Sequence, residues 1–261
     1  MKMNSEISEE EKMIVEALAE EEMGIGTLRG KLSSSGIDLR DEKMGSVLEE
    51  IIDHGLVFAK QDMYSITLLG AFVYSGLMDE YESIRKRKDL FDFFRTRIPA
   101  TIPKELISKF RFSDDFQIIG QPDFVDRMGD LLNEAMRIAP IAKEEILVAV
   151  DRFFRPGFLY LIGVVRNRQK LRGIFSETEY NKDSTFAKIA KKFINMELRV
   201  VGMKGQSIGM YCVDDKYCMF GFRTIKDVPG SDALIYSADI DCIKWVKENF
   251  EYVWKNLASE G

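Results

Sequence analysis

The stretch from Asp41 to Gly70, DEKMGSVLEEIIDHGLVFAKQDMYSITLLG, decides how the first part of this sequence folds. Gly55 supplies the left-handed residue that ends a helix, and Asp38 or Asp41 is suited to cap the beginning of that helix. Between these points, apolar residues recur at helical spacing and predict one buried face: Met44, Val47, Leu48, Ile51 and Ile52.

A short hairpin is predicted directly after that helix. Two β-prone runs, Leu56-Val57-Phe58 and Tyr64-Ser65-Ile66-Thr67, flank Gln61-Asp62 at the position of a turn. Before the helix, apolar residues at helical spacing between Glu9 and Glu22 predict a first helix, and Thr27 is placed to cap a short second one.

Three helices, a hairpin and the pattern Tyr-x-Ile-Thr-x-x-Gly ending at Gly70 resemble the winged helix-turn-helix of bacterial and archaeal transcription regulators, over about residues 9 to 76. The resemblance implies that the third helix enters the major groove of DNA and that the hairpin, called the wing, touches the neighbouring backbone. Position by position, it assigns DNA-facing roles to these residues: Arg40, Lys43 and Ser46 on the helix, and Lys60 and Gln61 on the wing. Arg and Lys bind guanine edges or phosphates, and Ser and Gln hydrogen-bond to either. An ordinary solvated surface is the other interpretation of the same side chains.

The charge of this region weighs against DNA. Residues 1–76 carry seven basic and 15 acidic side chains, whereas residues 77–261 carry 30 basic and 28 acidic ones. Much of the acid falls on the first helix, which could face away from a duplex, but Glu42, Glu49 and Glu50 fall on the third. Because phosphate neutralisation supplies much of the affinity for DNA, a winged helix that docks a basic protein partner is the alternative function.

An amphipathic segment follows the wing. Apolar positions from Phe72 to Phe94 predict one long connecting helix, which serves either dimerisation or packing on a second domain. The basic run Arg85-Lys86-Arg87-Lys88 is a solvated face or a further contact to phosphates. Pro99 and Pro103 break the chain, and Pro103 begins a new helix. The predicted domains are therefore residues 1–76, a connecting helix and linker over 77–103, and residues 104–261.

The rest of the chain predicts a layered α/β domain, so that the predicted fold class is α/β, and α+β when the winged helix is included. The apolar run Ile146–Val150 is a buried strand, and strands and helices alternate after it: Pro156–Asn167 helix, Leu171–Phe175 strand, Asp183–Ile194 helix and Glu197–Val201 strand. A hairpin of Ile208–Val213 and Tyr217–Phe222 and a closing helix from Asp239 to about Leu257 complete the prediction.

Five segments together resemble the methanogenesis regulatory protein family of archaea: IPATIPKEL (98–106), MELRVV (196–201), MYCVDDKYCMFG (210–221), LIYSAD (234–239) and FEYVW (250–254). The resemblance spans about residues 9 to 257. It implies a winged helix joined to a non-catalytic domain similar to the phospholipase D fold, and it implies a role in transcription regulation.

Catalytic motifs are missing from the second domain. Phospholipase D enzymes use His-x-Lys-x4-Asp, in which the histidine attacks phosphorus, but the single histidine of this sequence is His54, in the winged part. The sequence also lacks a Gly-x-Ser-x-Gly elbow and a phosphate-binding glycine loop. Asp214 and Asp215 near Cys212 and Cys218 indicate a hairpin turn rather than a metal site. We therefore expect no catalytic residues, no metal and no cofactor.

A one-signed stretch suggests an effector site instead. Six basic residues and no acid lie between Arg152 and Arg172. Arg152, Phe153 and Arg155 directly follow a buried strand, where α/β sheets bind anionic ligands. The hypothesis is a pocket for a small anionic effector, in which Arg152 and Arg155 bind the anion and Phe153 or Phe154 forms an aromatic wall. The alternative places these phenylalanines in the core and these arginines on the surface.

Composition sets the remaining expectations. Three cysteines without CxxC spacing indicate reduced thiols in a cytoplasmic protein. No apolar run is long enough to cross a membrane, so that no membrane association is expected. The expected partners are double-stranded DNA, a small anionic effector and a second copy of the chain in a homodimer.

Overall fold

Helix and strand boundaries follow the local signals in most of the chain. The computed structural model describes residues 7–37, 41–99, 102–120, 133–135, 137–150, 169–182, 195–202, 208–226 and 233–260. The chain divides into two units, Met1–Pro99 and Ala100–Gly261.

The first unit is a winged helix. Its helices and strands run in this order: α1 (Glu9–Glu20), β1 (Met23–Gly24), α2 (Ile25–Ser34), α3 (Asp41–Asp53), β2 (Val57–Lys60), β3 (Met63–Ile66), α4 (Leu68–Tyr74), α5 (Met78–Lys86) and α6 (Lys88–Arg95). The helix α1 begins with a capping box, in which Ser8 accepts from the Glu11 amide and Glu11 accepts from the Ser8 amide. The helix α2 is preceded by Gly24 rather than by the predicted cap Thr27, because residues 23 and 24 pair with β3 and the helix starts at once.

The helix α3 buries the face that its spacing predicts, with one exception. Met44, Val47, Leu48 and Ile51 are buried, whereas Ile52 is 36% exposed. The apolar stripe is therefore narrower than predicted, and Ile52 lies at its solvent edge. Gly55 has φ +71 and follows the end of the helix as expected.

Three helices, α4 to α6, form the amphipathic segment after the wing, in place of one continuous helix. Gly76, with φ +80, separates α4 from α5, and Arg87 has an extended backbone between α5 and α6. The separate helices turn their apolar residues inward, and Phe72, Tyr81, Phe93 and Phe94 are fully buried. A single straight helix would present these residues to one side only.

The second unit contains an eight-stranded mixed sheet. It comprises α7 (Lys104–Ile107), β4 (Gln117–Gly120), β5 (Glu145–Val150), β6 (Lys170–Ser176), α8 (Glu177–Lys182), β7 (Met196–Val201), β8 (Ile208–Val213), β9 (Tyr217–Phe222), β10 (Ala233–Ser237), α9 (Ile240–Asn256) and β11 (Ser259–Glu260). The strand order is β11-β7-β6-β5-β8-β9-β10-β4. The strands β5, β6 and β7 are parallel, and the other neighbours are antiparallel.

Both faces of this sheet are covered, which makes the unit a layered α/β structure. Ile138, Ala139 and Ala142 join the core on one face. On the other face α9 packs against β8 and β9, and the Trp245 and Phe220 rings lie 5.3 Å apart. Asp239 caps α9 through the amides of Asp241 and Cys242. The fold class is α/β, as predicted, and the predicted helices Pro156–Asn167 and Asp183–Ile194 lie outside the described residues.

Gly70 gives the first prediction. A Cβ at this position would lie 2.2 Å from the backbone oxygen of Leu56. Because backbone cannot move aside as a side chain can, Gly70→Ala should lower the free energy of unfolding by about 3 kcal/mol. The control is Gly30→Ala in α2, where a Cβ meets nothing within 4 Å and should raise stability by about 0.5–1 kcal/mol. Urea unfolding measures both, and equal stabilities for the two variants would contradict the packing described.

Candidate nucleic-acid interface

The exposed face of α3 is divided along its length. Lys43 and Ser46, both predicted to face DNA, are exposed in the first two turns beside Glu42. Three acidic residues, Glu49, Glu50 and Asp53, are exposed in the last two turns of the same face. The recognition helix of a helix-turn-helix, which corresponds to α3 in this unit, contacts base edges with its N-terminal residues. The basic and hydroxyl groups therefore occupy the end of α3 that such a helix inserts, together with the Glu42 carboxylate, whereas three carboxylates occupy the other end. Arg40, the remaining predicted residue of this helix, lies outside the described residues.

Lys43 is not a free cation. Its Nζ is paired with a carboxylate oxygen of Glu10 on α1. Both side chains are substantially exposed, at 54% for Lys43 and 40% for Glu10. An exposed pair of this kind is worth about 0–1 kcal/mol, so that a phosphate can replace Glu10 at little cost.

The wing presents its predicted residues at its tip. Lys60 and Gln61 are exposed at the point where β2 turns into β3. Gln61 and Asp62 both have positive φ, 51° and 62°, which is the backbone of a type I′ hairpin turn. Such a two-residue turn fixes the register of the strands on either side of it, Lys60 opposite Met63. Asp62 and Met63 are also exposed there, so that the tip carries one cation, one amide, one anion and one apolar side chain.

A hydrogen-bonded joint holds the wing against the end of α3. The Thr67 hydroxyl donates to the Gly55 carbonyl over 2.5 Å and accepts from the Gly70 amide over 3.1 Å. The Thr67 amide donates to the Leu56 carbonyl over 2.9 Å. This joint explains the pattern Tyr-x-Ile-Thr-x-x-Gly, because Thr67 caps α4 and Gly70 makes room for the Leu56 backbone.

A buried polar pair, which sequence reasoning missed, ties α3 to α1. His54 follows α3, and its Nδ1 lies 2.7 Å from Oε1 of Glu11. His54 is 4% exposed and Glu11 is 1% exposed. The Tyr81 hydroxyl donates to the His54 carbonyl over 3.2 Å, and burial raises the pKa of Tyr81 to about 12. A histidine and a glutamate on two facing apolar stripes were the available signal for this contact.

The basic run after the wing is partly used for local ion pairs. Nη1 of Arg85 lies 3.8 Å from Oε1 of Glu82, and Nη2 of Arg87 lies 2.9 Å from Oδ2 of Asp89. Lys86 and Lys88 are exposed. The interaction with Arg87 also lowers the pKa of Asp89.

The proposed effector pocket cannot be placed, since Arg152, Phe153 and Arg155 lie outside the described residues. Arg172, from the same basic stretch, is described and serves packing. It pairs with Glu145 over 2.7 Å and with Glu251 over 2.5 Å, and its guanidinium lies 5.3 Å from the centre of the Phe250 ring. Arg172 thus ties β5 and β6 to α9.

Within the described ranges, no group of three or more His, Cys, Asp or Glu side chains is placed to hold a metal ion. None of the helices in those same ranges is both long and apolar enough to span a bilayer. Asp214, considered as a ligand at the sequence level, instead accepts hydrogen bonds from the amides of Lys143, Glu144 and Glu145, which lower the pKa of its carboxyl group against the effect of burial.

No protein-family model and no curated protein matches the sequence. Among solved structures the chain is similar to NucT from Helicobacter pylori, at 17% identity over 55% of this chain and 98% of NucT, with a TM-score of 0.44. It is also similar to TrmBL2, an archaeal chromatin protein whose structure shows a novel mode of DNA binding, at 15% identity over 85% of this chain and 84% of TrmBL2, with a TM-score of 0.45. A third is Nuc from Salmonella typhimurium, a phospholipase D family member, at 15% identity over 56% of this chain and 97% of Nuc, with a TM-score of 0.42.

Likenesses at these TM-scores assign neither a family nor an activity to the chain. The class of protein is defined here by the chain's own elements, a winged-helix unit followed by a layered α/β unit. Membership of the methanogenesis regulatory protein family stays a prediction from the sequence.

The buried pair gives the second prediction. Removing the carboxylate in Glu11→Ala leaves the buried imidazole of His54 without its partner and breaks the capping box of α1. We expect the free energy of unfolding to fall by about 3 kcal/mol. The matched control is Glu9→Ala, since Glu9 is 82% exposed and pairs with Lys12 at the surface, where the loss should stay below about 0.5 kcal/mol. Thermal unfolding distinguishes them, and similar losses would show that the Glu11 contact does not anchor α3.

Proposed function

We propose that this protein is a DNA-binding transcription regulator that reads duplex DNA with the first two turns of α3 and with the wing. The observation that carries the proposal is the exposure of Lys43 and Ser46 on α3 together with Lys60 and Gln61 at the wing tip. These are residue types that bind phosphates and base edges, and they lie on the two elements that a winged helix presents to DNA.

The acidic half of α3 is compatible with this function if the helix enters the groove by its N-terminal end. Glu49, Glu50 and Asp53 then point away from the bases, where they limit non-specific binding to phosphates. Glu42 lies among the inserted residues, and a carboxylate can accept a hydrogen bond from the amino group of cytosine. The outcome is a binder of modest affinity whose selectivity depends on a few side chains.

A specific observation also favours a second candidate function. Among the side chains of α3 that the structure describes, those of residues 42–53, four carboxylates are exposed (Glu42, Glu49, Glu50 and Asp53), against one lysine that is already paired. A basic protein segment would complement this face better than DNA would. In that case the chain is an adaptor that docks a basic partner through α3.

For the second unit we propose a regulatory role without catalysis, either binding of a small anionic effector or assembly of a homodimer. The support is chemical: residues 100–261 contain no histidine to form a phosphohistidine intermediate. A dimer would also match two recognition helices to two half-sites about one helical turn apart.

Selection from random duplexes, followed by fluorescence anisotropy with the enriched sequence, tests the proposal. We expect an enriched site, affinity that falls steeply with salt, and DNA that stays uncut. Lys60→Ala should reduce the slope of log K against log salt by about one, because one phosphate contact is lost.

The control for this variant is Lys244→Ala, which removes the same charge from an exposed position on α9 of the second unit. Its salt slope should equal that of the unaltered protein. Two results together would favour the adaptor function over the regulator function. No DNA site would be enriched, and the protein would bind basic peptides with an affinity that Glu49→Gln lowers.

The Glu10–Lys43 pair gives a further prediction. Glu10→Gln removes the carboxylate that holds Lys43 and also one negative charge beside α3. We expect DNA affinity to rise roughly two- to fivefold at low salt, since the exposed pair is weak and Lys43 becomes available to a phosphate. Glu16→Gln is the control, because Glu16 is exposed on the same helix and carries the same charge. An equal gain in both variants would mean that only net charge matters and that Lys43 makes no contact.

A further inference from the structure

The three cysteines of the chain converge on one buried place in the second unit. Cys212 on β8 and Cys218 on β9 stand opposite each other in the hairpin, and Cys242 lies in the first turn of α9. All three are free thiols, and all three are at most 1% exposed. Residues that are distant along the chain therefore bring thiols together between the sheet and the last helix.

Two of these thiols are in contact. The Sγ atoms of Cys218 and Cys242 lie 3.5 Å apart, although the two residues are 24 positions apart in the sequence. A disulfide needs a sulfur separation of about 2.0 Å, so that the two sulfur atoms must approach by about 1.5 Å for a bond to form. Cys212 is engaged differently, since its thiol points to the Asp214 carbonyl at 3.6 Å.

The N-terminal end of α9 offers a route to this pair. Ile240, two residues before Cys242, is 61% exposed, and Asp241 is also exposed. Fraying of a first helical turn is a low-energy local opening. Cys242 is buried, but it lies in the first turn of α9, so that unwinding of that turn would expose it.

We propose that Cys218 and Cys242 form a reversible disulfide that staples α9 to β9 when the protein meets a hydroperoxide. The hydroperoxide oxidises one thiol to a sulfenic acid and is itself reduced, with release of water or an alcohol. The second thiol then attacks that sulfur, water leaves, and the sulfur–sulfur bond forms. The oxidant accepts two electrons, which the two thiols supply.

The burial of these thiols makes their oxidation slow. The pKa of the Cys218 thiol is raised well above its usual value, first by its hydrogen bond with Cys242 and then by burial. Burial also raises the pKa of Cys212 to about 12. Since the thiolate is the reactive form, oxidation is slow near neutral pH and becomes faster as pH rises. The pair is thus protected against mild oxidants and responds to strong oxidative challenge.

Treatment of the full-length protein with hydrogen peroxide tests the proposal. Mass spectrometry should show the loss of two hydrogen atoms, reversed by dithiothreitol, and peptide mapping without reduction should join the Cys218 and Cys242 peptides. Alkylation in denaturant should label all three cysteines before oxidation and Cys212 alone after it. The melting temperature should rise by several degrees, because the bond closes a long loop in the unfolded chain.

Single variants separate the staple from other oxidation. Cys212→Ala should keep the change in mass, and Cys218→Ala and Cys242→Ala should abolish it. Three thiols that remain alkylatable, a bond from Cys212 to Cys218, or a gain of oxygen without cross-linking would each overturn the proposal. The alkylation of the unaltered protein decides the matter even if a variant fails to fold. DNA binding plays no part in this test.

Discussion

The geometry of the first unit depends on one joint, where the Thr67 side chain and backbone bind the turn after α3. Three hydrogen bonds converge there, between Thr67 and the backbones of Gly55, Leu56 and Gly70. Each is buried, and a buried hydrogen bond left unmade costs about 1–3 kcal/mol. The joint therefore fixes where the wing begins relative to the end of α3, and hence whether both can meet one ligand.

A second constraint works at the same place from the opposite side. The Glu11 carboxylate reaches from α1 to His54, one residue beyond α3, in a setting that excludes water. Low local dielectric strengthens such a contact and penalises its loss. The acidic character of α1 is thus partly structural, because one of its carboxylates holds α3 and another, Glu10, pairs with Lys43.

The fold alone does not distinguish DNA binding from docking of a basic protein, but the distribution of charge along α3 does. A duplex favours the end that carries Lys43 and Ser46, whereas a basic protein favours the end that carries Glu49, Glu50 and Asp53. The ionic atmosphere of DNA makes the first interaction strongly dependent on salt. The half of α3 that a bound ligand covers therefore distinguishes DNA binding from binding of a basic protein.

Periodicity was enough to predict much of the fold. The stripe of α3, the hairpin of Gln61-Asp62 and the closing helix from Asp239 all follow local rules that tertiary structure did not override. The breaks at Gly76 and Arg87 were not predicted, because apolar spacing continues across both. Gly76, which has φ +80 just after α4, was the local signal for the first break. The edge strands β4 and β11 were missed as well, since four and two residues give no usable alternation.

The candidate site was less predictable than the fold. Exposure of Lys43, Ser46, Lys60 and Gln61 follows from the helix and turn positions, but the contact between Lys43 and Glu10 spans 33 residues and has no local signature. The contact between His54 and Glu11 joins residues 43 positions apart, and its signal in the sequence is the presence of two polar residues on apolar stripes. Long-range polar contacts of this kind become visible only when the helices are packed.

Amide hydrogen exchange of the full chain, with and without a saturating duplex, tests the central claim most directly. If α3 and the wing bind DNA, protection should increase in residues 42–46 of α3 and in residues 59–63 of the wing, because a bound duplex would cover both. The exchange rates of residues 49–53 should be the same with and without the duplex. Protection confined to residues 49–53, or none in either segment, would contradict DNA binding by this face.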